Sequence, residues 1–311
     1  RARKIARERI APHAAHYDET ETYPEESMKA ILESGLFGIW VPDEYGGSDM
    51  GCLALSLVSE EIAWACAATA TQYLDQPLGG LPVLLAGTPE QKKKYLPRLA
   101  TGELLAAYSL SEPGAGSDAA GLRTTAVRQG DHYTLNGSKQ WCTNGDHADV
   151  ITVFATVDPK KRAKGVTAFL VEKDTPGFSV GKKEKKMGIR ASPTVALHFT
   201  DCAVPVEQRL GAEGDGFKIA MQTLDVTRPA TGAMAVGMHH ILDPTRLDAF
   251  AFGVFMLANK LSRNRACGPL SVMRRYGYGC TKIETMAIEH DLKMQNNSTS
   301  LLEAARVLMA P

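Results

Sequence analysis

The chain has 311 residues, 44% hydrophobic and 23% charged, a composition that suits a globular protein of two or three domains. Lys plus Arg and Asp plus Glu each total 35, giving a formal net charge of zero, which argues against nucleic acid or an anionic membrane as the main partner. The cysteines (Cys52, Cys66, Cys142, Cys202, Cys267, Cys280) form no C-x-x-C pair, so neither a metal knuckle nor a disulfide framework is indicated; a reducing compartment is expected, and no apolar run is long enough to span a bilayer.

The first hundred residues read as helices. "ARKIARERIAPHAAHYDE" has helical spacing from the start, which implies an N-terminus further upstream than Arg1. "PEESMKAILESGLFG" starts at Pro24 with acids in its first turn and ends on glycine. "LALSLVSEEIAWACAATA" is mostly apolar and reads as a buried helix, and "TPEQKKKYLPRLATG" is a short helix with a polar start. Between these last two, Gln72, Tyr73 and Gln76 read as a polar lid on a short pocket.

Next comes "YSLSEPGAGSDAAG", from Tyr108 to Gly121, in which Gly114, Gly116 and Ala119 satisfy G-x-G-x-x-A. A dinucleotide loop of that spacing must open a helix whose N-terminal amides face the pyrophosphate. Here the chain continues into "RTTAV", which is strand-like, "RQGD", which is a turn, and "HYTLNGSKQW", which reads as two short strands around Asn136-Gly137. With no helix to follow, the dinucleotide reading fails on context. From about Leu105 to Leu210 the period is that of strands: "VITVFATV", "GVTAFLVE", "GFSVGKK" and "TVALHFTDCAV" are β-rich runs parted by Gly, Pro, Asp and Asn. This segment is expected to form a compact antiparallel barrel or sandwich. Helical patterning returns after "GAEGDGFKIAMQTLDVTRPATGAMAVG". The expected fold class is α+β and multi-domain: a helical domain over 1–104, a central β-domain over 105–210 and a C-terminal helical domain over 211–311.

The block order, together with "LSEPGAGSDAAG", "LNGSKQWCTNG" and "TRP" at Thr227 to Pro229, resembles the acyl-CoA dehydrogenase family of flavoenzymes, over Ala2 to about Gly237. The resemblance implies FAD as cofactor, an acyl-CoA substrate, a homotetramer, and electron-transferring flavoprotein as the redox partner. It implies that Tyr108, Leu110, Ser111, Gly116 and Ser117 line the flavin and the thioester entrance, where small residues let backbone amides approach a planar ring. Trp141 packs on that ring and Thr143 lies near its hydride-accepting nitrogen; spaced two apart in a strand, they share a face. Asp225 and Arg228, three apart on a helix that "TRP" opens, contact CoA, as does Ser192. Thr299 is a further cofactor contact by the same resemblance, and no metal is expected. A bacterial cytoplasm is the expected location, with the mitochondrial matrix as the alternative.

The resemblance breaks at the catalytic base. The family's C-terminal glutamate position falls on Asn297, whose amide takes up no proton, and the second known location falls on Thr227. The family's Arg-x-x-Phe-Gly survives only as Phe252-Gly253, with Ala249 at the arginine position. Three explanations compete: another base, with Glu303, Glu289 and Asp291 as the available acids; a catalytically impaired relative that binds acyl-CoA and flavin; or a sequence after about Gly237 that is incomplete or misassigned. A flavin monooxygenase or nitroalkane oxidase branch on the same fold is the rival enzyme class.

Overall fold

A computed structural model of the chain describes residues 1–242. The N-terminal part is helical. Helix α1 (Ala2–Ile5) passes through a π-turn at Ala6–Ile10 into α2 (Ala11–Thr20), followed by α3 (Glu25–Glu33). Glu25 and Glu26 sit in the first turn of α3, where the amide ends favour negative charge, and Met28, Ala30 and Ile31 supply its buried face. Helices α4 (Gly51–Ala65), α5 (Ala67–Ala86) and α6 (Pro89–Thr101) complete this part.

The apolar stretch read as one helix is broken at Cys66. That residue is extended (φ −157, ψ 113), and its Sγ accepts the Thr69 amide at 3.5 Å, so it caps α5 instead of continuing α4. A side chain able to cap, set among residues of good helix propensity, gives no periodicity signal for the break.

Eight strands form the central part: β1 (Ala106–Ser109), β2 (Thr125–Gln129), β3 (His132–Thr143), β4 (Val150–Thr156), β5 (Val166–Glu172), β6 (Phe178–Lys183), β7 (Thr194–Pro205) and β8 (Arg209–Leu210). Their order is β6-β7-β3-β2-β4-β5-β8, with β1 beside β4. The pairings are antiparallel except for β1 with β4 and the single Thr125–Thr156 contact of β2 with β4, so the sheet is mixed and not purely antiparallel. Parallel neighbours need a long crossover, and the one joining β1 to β4 contains the Leu110–Gly121 loop and the β2–β3 hairpin.

That hairpin turns at Gly130 (φ 64) and Asp131, between the paired residues Gln129 and His132. Asn136-Gly137 makes no turn. It lies inside β3, where the register against β7 shifts between Leu135 and Gly137. Gly137 has φ 149, and a Cβ there would stand 2.6 Å from Thr124 Oγ1, so the glycine serves a bulge that presses β3 against the start of β2.

Helix α7 (Gly216–Leu242) follows the strands and starts well before "TRP", which lies mid-helix with Pro229 inside it. Its first residue docks on β5: a Cβ on Gly216 would lie 2.6 Å from the Thr167 carbonyl carbon. Strand β4 is buried along its whole length. Phe154 on one face packs with Trp40, Tyr95 and Ile219 of the helical layer, and Val153 and Ala155 on the other pack with Tyr133, Phe169 and Phe199.

Candidate active site

A cavity of about 570 Å³ opens where five segments meet. Helix α5 contributes Asp75 and Leu78; β1 contributes Tyr108; the loop after it contributes Leu110, Ser111, Gly116 and Ser117 with Asp118 to Ala120; β3 contributes Gln140, Trp141 and Thr143; and α7 contributes Phe217, Met221, Leu224 and Arg228.

The loop is held by a buried ion pair. Lys139 on β3 donates to Glu112 Oε1 at 2.7 Å and to the Leu110 carbonyl at 3.2 Å. Glu112 in turn accepts the Arg123 amide at 2.6 Å and the Thr124 amide at 3.0 Å. One carboxylate and one ammonium thus tie both ends of the loop to a strand. Burial acts to raise the Glu112 carboxyl, but Lys139 and the two amides outweigh it and hold the group below its ordinary value. Burial pulls the Lys139 ammonium down to about 8 against the opposing charge of Glu112. The other acid of the loop, Asp118, is exposed and takes both its bonds from Arg162 Nη2, at 2.7 and 2.8 Å.

Between these anchors the loop keeps its cavity side open. A Cβ on Gly114 or Gly116 would meet nothing within 4 Å. Neither glycine is therefore required by packing against the protein itself, and Gly116 lines the cavity.

Trp141 enters the cavity because β3 bulges there. The register against β7 shifts between Lys139 and Cys142, and Trp141 takes φ 58, a costly value for an aromatic residue. The result is an indole left 57% exposed, facing a concave apolar wall. Thr143 reaches the same cavity. Deeper in, the Tyr108 hydroxyl and the Asp75 Oδ2 are buried with no hydrogen-bond partner among the described residues. Burial raises the Tyr108 hydroxyl far above its ordinary value, with Arg228 pulling slightly the other way, and burial raises the Asp75 carboxyl well above the usual range.

Of the residues expected from sequence, Tyr108, Leu110, Ser111, Gly116, Ser117, Trp141, Thr143 and Arg228 share this one cavity. Asp225 does not line it but pairs with Arg228, Oδ1 to Nη1 at 3.7 Å on one face of α7. Ser192 lies elsewhere: it is buried, and its hydroxyl takes a bond from Gln72 Nε2 at 2.8 Å. Asn297, Thr299 and the alternative acids Glu289, Asp291 and Glu303 lie outside the described residues.

The polar lid is not formed by Gln72, Tyr73 and Gln76, all of which are buried. Gln76 bonds the Leu99 and Leu104 carbonyls and the Ala106 amide, fixing the junction of helices and sheet, and Tyr73 donates to the Leu36 carbonyl. The residue of that stretch that reaches the cavity is Asp75. Its signal in the sequence is a lone acid in a long apolar helix, and Lys139 and Glu112 gave no comparable one. Among the described residues no group of His, Cys, Asp and Glu is placed to hold a metal, and no helix is long and apolar enough to cross a membrane.

Residues 1–103 match the acyl-CoA dehydrogenase N-terminal domain, and residues 107–202 match the acyl-CoA dehydrogenase middle domain. The butyryl-CoA dehydrogenase of Megasphaera elsdenii superimposes with a TM-score of 0.74 at 36% identity, over 93% of this chain and 74% of that one. The chain belongs to the acyl-CoA dehydrogenase family. A Mycobacterium tuberculosis relative described as a probable acyl-CoA dehydrogenase, FadE25, is 46% identical over 236 residues, 76% of this chain. The chain spans 61% of that relative's length. A Bacillus anthracis acyl-CoA dehydrogenase complexed with FAD superimposes with a TM-score of 0.72 at 36% identity, over 84% of this chain and 48% of that one.

The cavity fits a flavin on its own geometry. It offers an open glycine at Gly116, an indole held out at the cost of a strained backbone, and a buried hydroxyl at Tyr108 without a partner among the described residues. A planar, hydrogen-bonding ring system matches those demands better than a flexible acyl chain alone does.

Proposed function

We propose that this protein is an FAD-dependent acyl-CoA dehydrogenase that converts an acyl-CoA thioester to the trans-2-enoyl-CoA. The reading rests on one observation: the small-residue loop, the Trp141–Thr143 bulge and Arg228 of α7 line a single cavity. The open backbone at Gly116 and Ser117, with Tyr108 and Ser111, would hold the isoalloxazine edge, and Trp141 would cover its face. FAD supplies the hydride acceptor when bound. This chain's own contribution is to orient the thioester and exclude water. Arg228, steadied by Asp225, offers a cation at the cavity wall for the anionic CoA portion. The apolar side chains of Leu78, Met221 and Leu224 give the acyl chain a dry lining.

The partner reading follows from the same family. Electrons taken from the substrate pass to an electron-transferring flavoprotein, and the functional unit is a homotetramer.

An anaerobic titration of the yellow protein with butyryl-, octanoyl- and branched acyl-CoAs tests the proposal. Bleaching of the oxidised flavin band is the expected result. A yellow protein that binds acyl-CoA without bleaching would instead be a catalytically impaired relative. Bleaching by a nitroalkane, with no affinity for CoA thioesters, would place it in the monooxygenase and nitroalkane oxidase branch.

A further inference from the structure

The turn between β4 and β5, Pro159–Gly165, reads "PKKRAKG" and carries the cations Lys160, Lys161, Arg162 and Lys164. All of them are exposed. In a chain of zero formal net charge this is a concentrated positive patch. Its backbone is fixed by its own hydrogen bonds. Asp158 Oδ1 accepts the Lys160 amide at 3.0 Å, the Asp158 carbonyl accepts the Lys161 amide at 3.1 Å, and the Gly165 carbonyl accepts the Val157 amide at 3.0 Å. Arg162 takes φ 50 and ψ −124, a sparsely populated conformation that persists only where the surroundings enforce it. A turn whose lysines were merely solvated would have no need of that strain.

The strain goes with a position. Arg162 reaches both oxygens of Asp118, and Asp118 lines the cavity together with Ala119 and Ala120. The turn packs against Ala119–Gly121 on one side and against α7 on the other. Gly214, just before α7, meets it closely: a Cβ there would stand 2.5 Å from the Lys164 carbonyl oxygen. The basic turn is thus clamped at the rim of the cavity, between its loop and its helix. Two of its charges are spoken for, Arg162 by Asp118 and Lys161 by Asp158 at 3.6 Å. Lys160 and Lys164 have no ion-pair partner among the described residues.

We propose that this turn holds the phosphates of the adenosine tail of acyl-CoA, with Lys160 and Lys164 as the contacting ammoniums and Arg162 as the residue that fixes the turn at the rim. The inference rests on the dehydrogenase reading and deepens it by giving the tail a site of its own. A cavity of about 570 Å³ suits one ligand of ordinary size. Flavin ring and acyl chain already share it, so the nucleotide end of CoA extends past the rim. That end brings a diphosphate and a 3′-phosphate, about four negative charges in all. Lysine ammoniums on flexible stems meet such charges without a fixed geometry, which suits a tail that enters and leaves with each substrate. A resident cofactor's diphosphate is held instead by free backbone amides. The amides of Lys160 and Lys161 are already bonded to Asp158.

The test compares (methylthio)acetyl-CoA with (methylthio)acetyl-pantetheine, which keeps the thioester and lacks every phosphate. The β-position of both is sulfur and has no hydride to lose, so calorimetry on the holoprotein reads binding alone. Wild type is expected to prefer the CoA form, and added salt to shrink that preference while sparing the pantetheine form. Lys160→Ala combined with Lys164→Ala should weaken the CoA form about tenfold and leave the pantetheine form within about twofold. Lys160→Arg combined with Lys164→Arg should retain the wild-type preference, since charge at the rim is what acts. Full preference for the CoA form in the alanine variant would overturn the proposal, as would equal weakening of both thioesters. An alanine variant that binds FAD more weakly and keeps its preference for the CoA form would assign the turn to the cofactor's diphosphate, which also overturns it. Wild type that binds both thioesters equally would overturn the tail site and leave the dehydrogenase reading standing. Wild type that binds neither would overturn that reading itself.

Discussion

Lys139 Nζ lies 2.7 Å from Glu112 Oε1, with the lysine side chain fully buried and the glutamate nearly so. The pair ties the cavity loop to β3 through bonds to the Leu110 carbonyl and to the Arg123 and Thr124 amides. Removing one partner leaves the other charge buried and uncompensated, at a cost of about 3–5 kcal/mol. Lys139→Met should therefore unfold at lower urea than wild type and expose residues 110–124 to proteolysis. The glutamate sets a pH dependence. Its folded value is lowered, so its contribution is present above the ordinary glutamate value and lost as pH falls through the folded one. The stability gap between wild type and Glu112→Gln should narrow below about pH 4.3. A gap that widens in acid would contradict the pairing.

Trp141 is exposed, so its removal costs the fold little. Trp141→Ala should change stability by less than about 0.5 kcal/mol. Loss of the aromatic contact should weaken FAD by about 1 kcal/mol, roughly fivefold in Kd. Equilibrium dialysis of the reconstituted protein measures it, and unchanged FAD affinity would remove the indole from the flavin site.

Two glycines give opposite expectations. Gly116→Ala meets open space, so the melting behaviour should match wild type within about 0.5 kcal/mol while FAD binding weakens. Gly79→Ala pushes its Cβ to 2.7 Å from the Ala107 nitrogen and should cost about 1–3 kcal/mol. Thermal unfolding with and without added FAD separates the two effects: the first variant loses the cofactor's stabilisation, the second loses intrinsic stability.

Gln76 is a structural clamp. Gln76→Met removes three bonds and strands the Leu104 carbonyl and the Ala106 amide, at a total of about 3 kcal/mol, while the Leu99 carbonyl keeps the Gly102 amide. Preference among acyl-CoAs of different chain length, measured on the folded variant, should be unchanged. A shift in that preference would restore Gln76 to the pocket lid.

The sequence by itself determined the succession of helices, strands and helix, because runs such as "VITVFATV" and "PEESMKAILES" carry their period locally. It also determined which loop bears the open glycines and which bulged segment carries Trp141 and Thr143, since those residues are contiguous. Contacts between distant segments left no local trace. Lys139 meets Glu112 across 27 residues, and Asn136-Gly137, a strong turn signal on its own, becomes a bulge because Thr124 and β7 press on it. Cys66 breaks an apolar helix by capping its successor. Only the tertiary structure decided which polar residue of α5 faces the cavity. The helical pattern allowed Gln72, Gln76 or Asp75, and the docking of α5 on β1 puts Gln76 into the helix–sheet junction, pairs Gln72 with Ser192 and leaves Asp75 in the cavity lining.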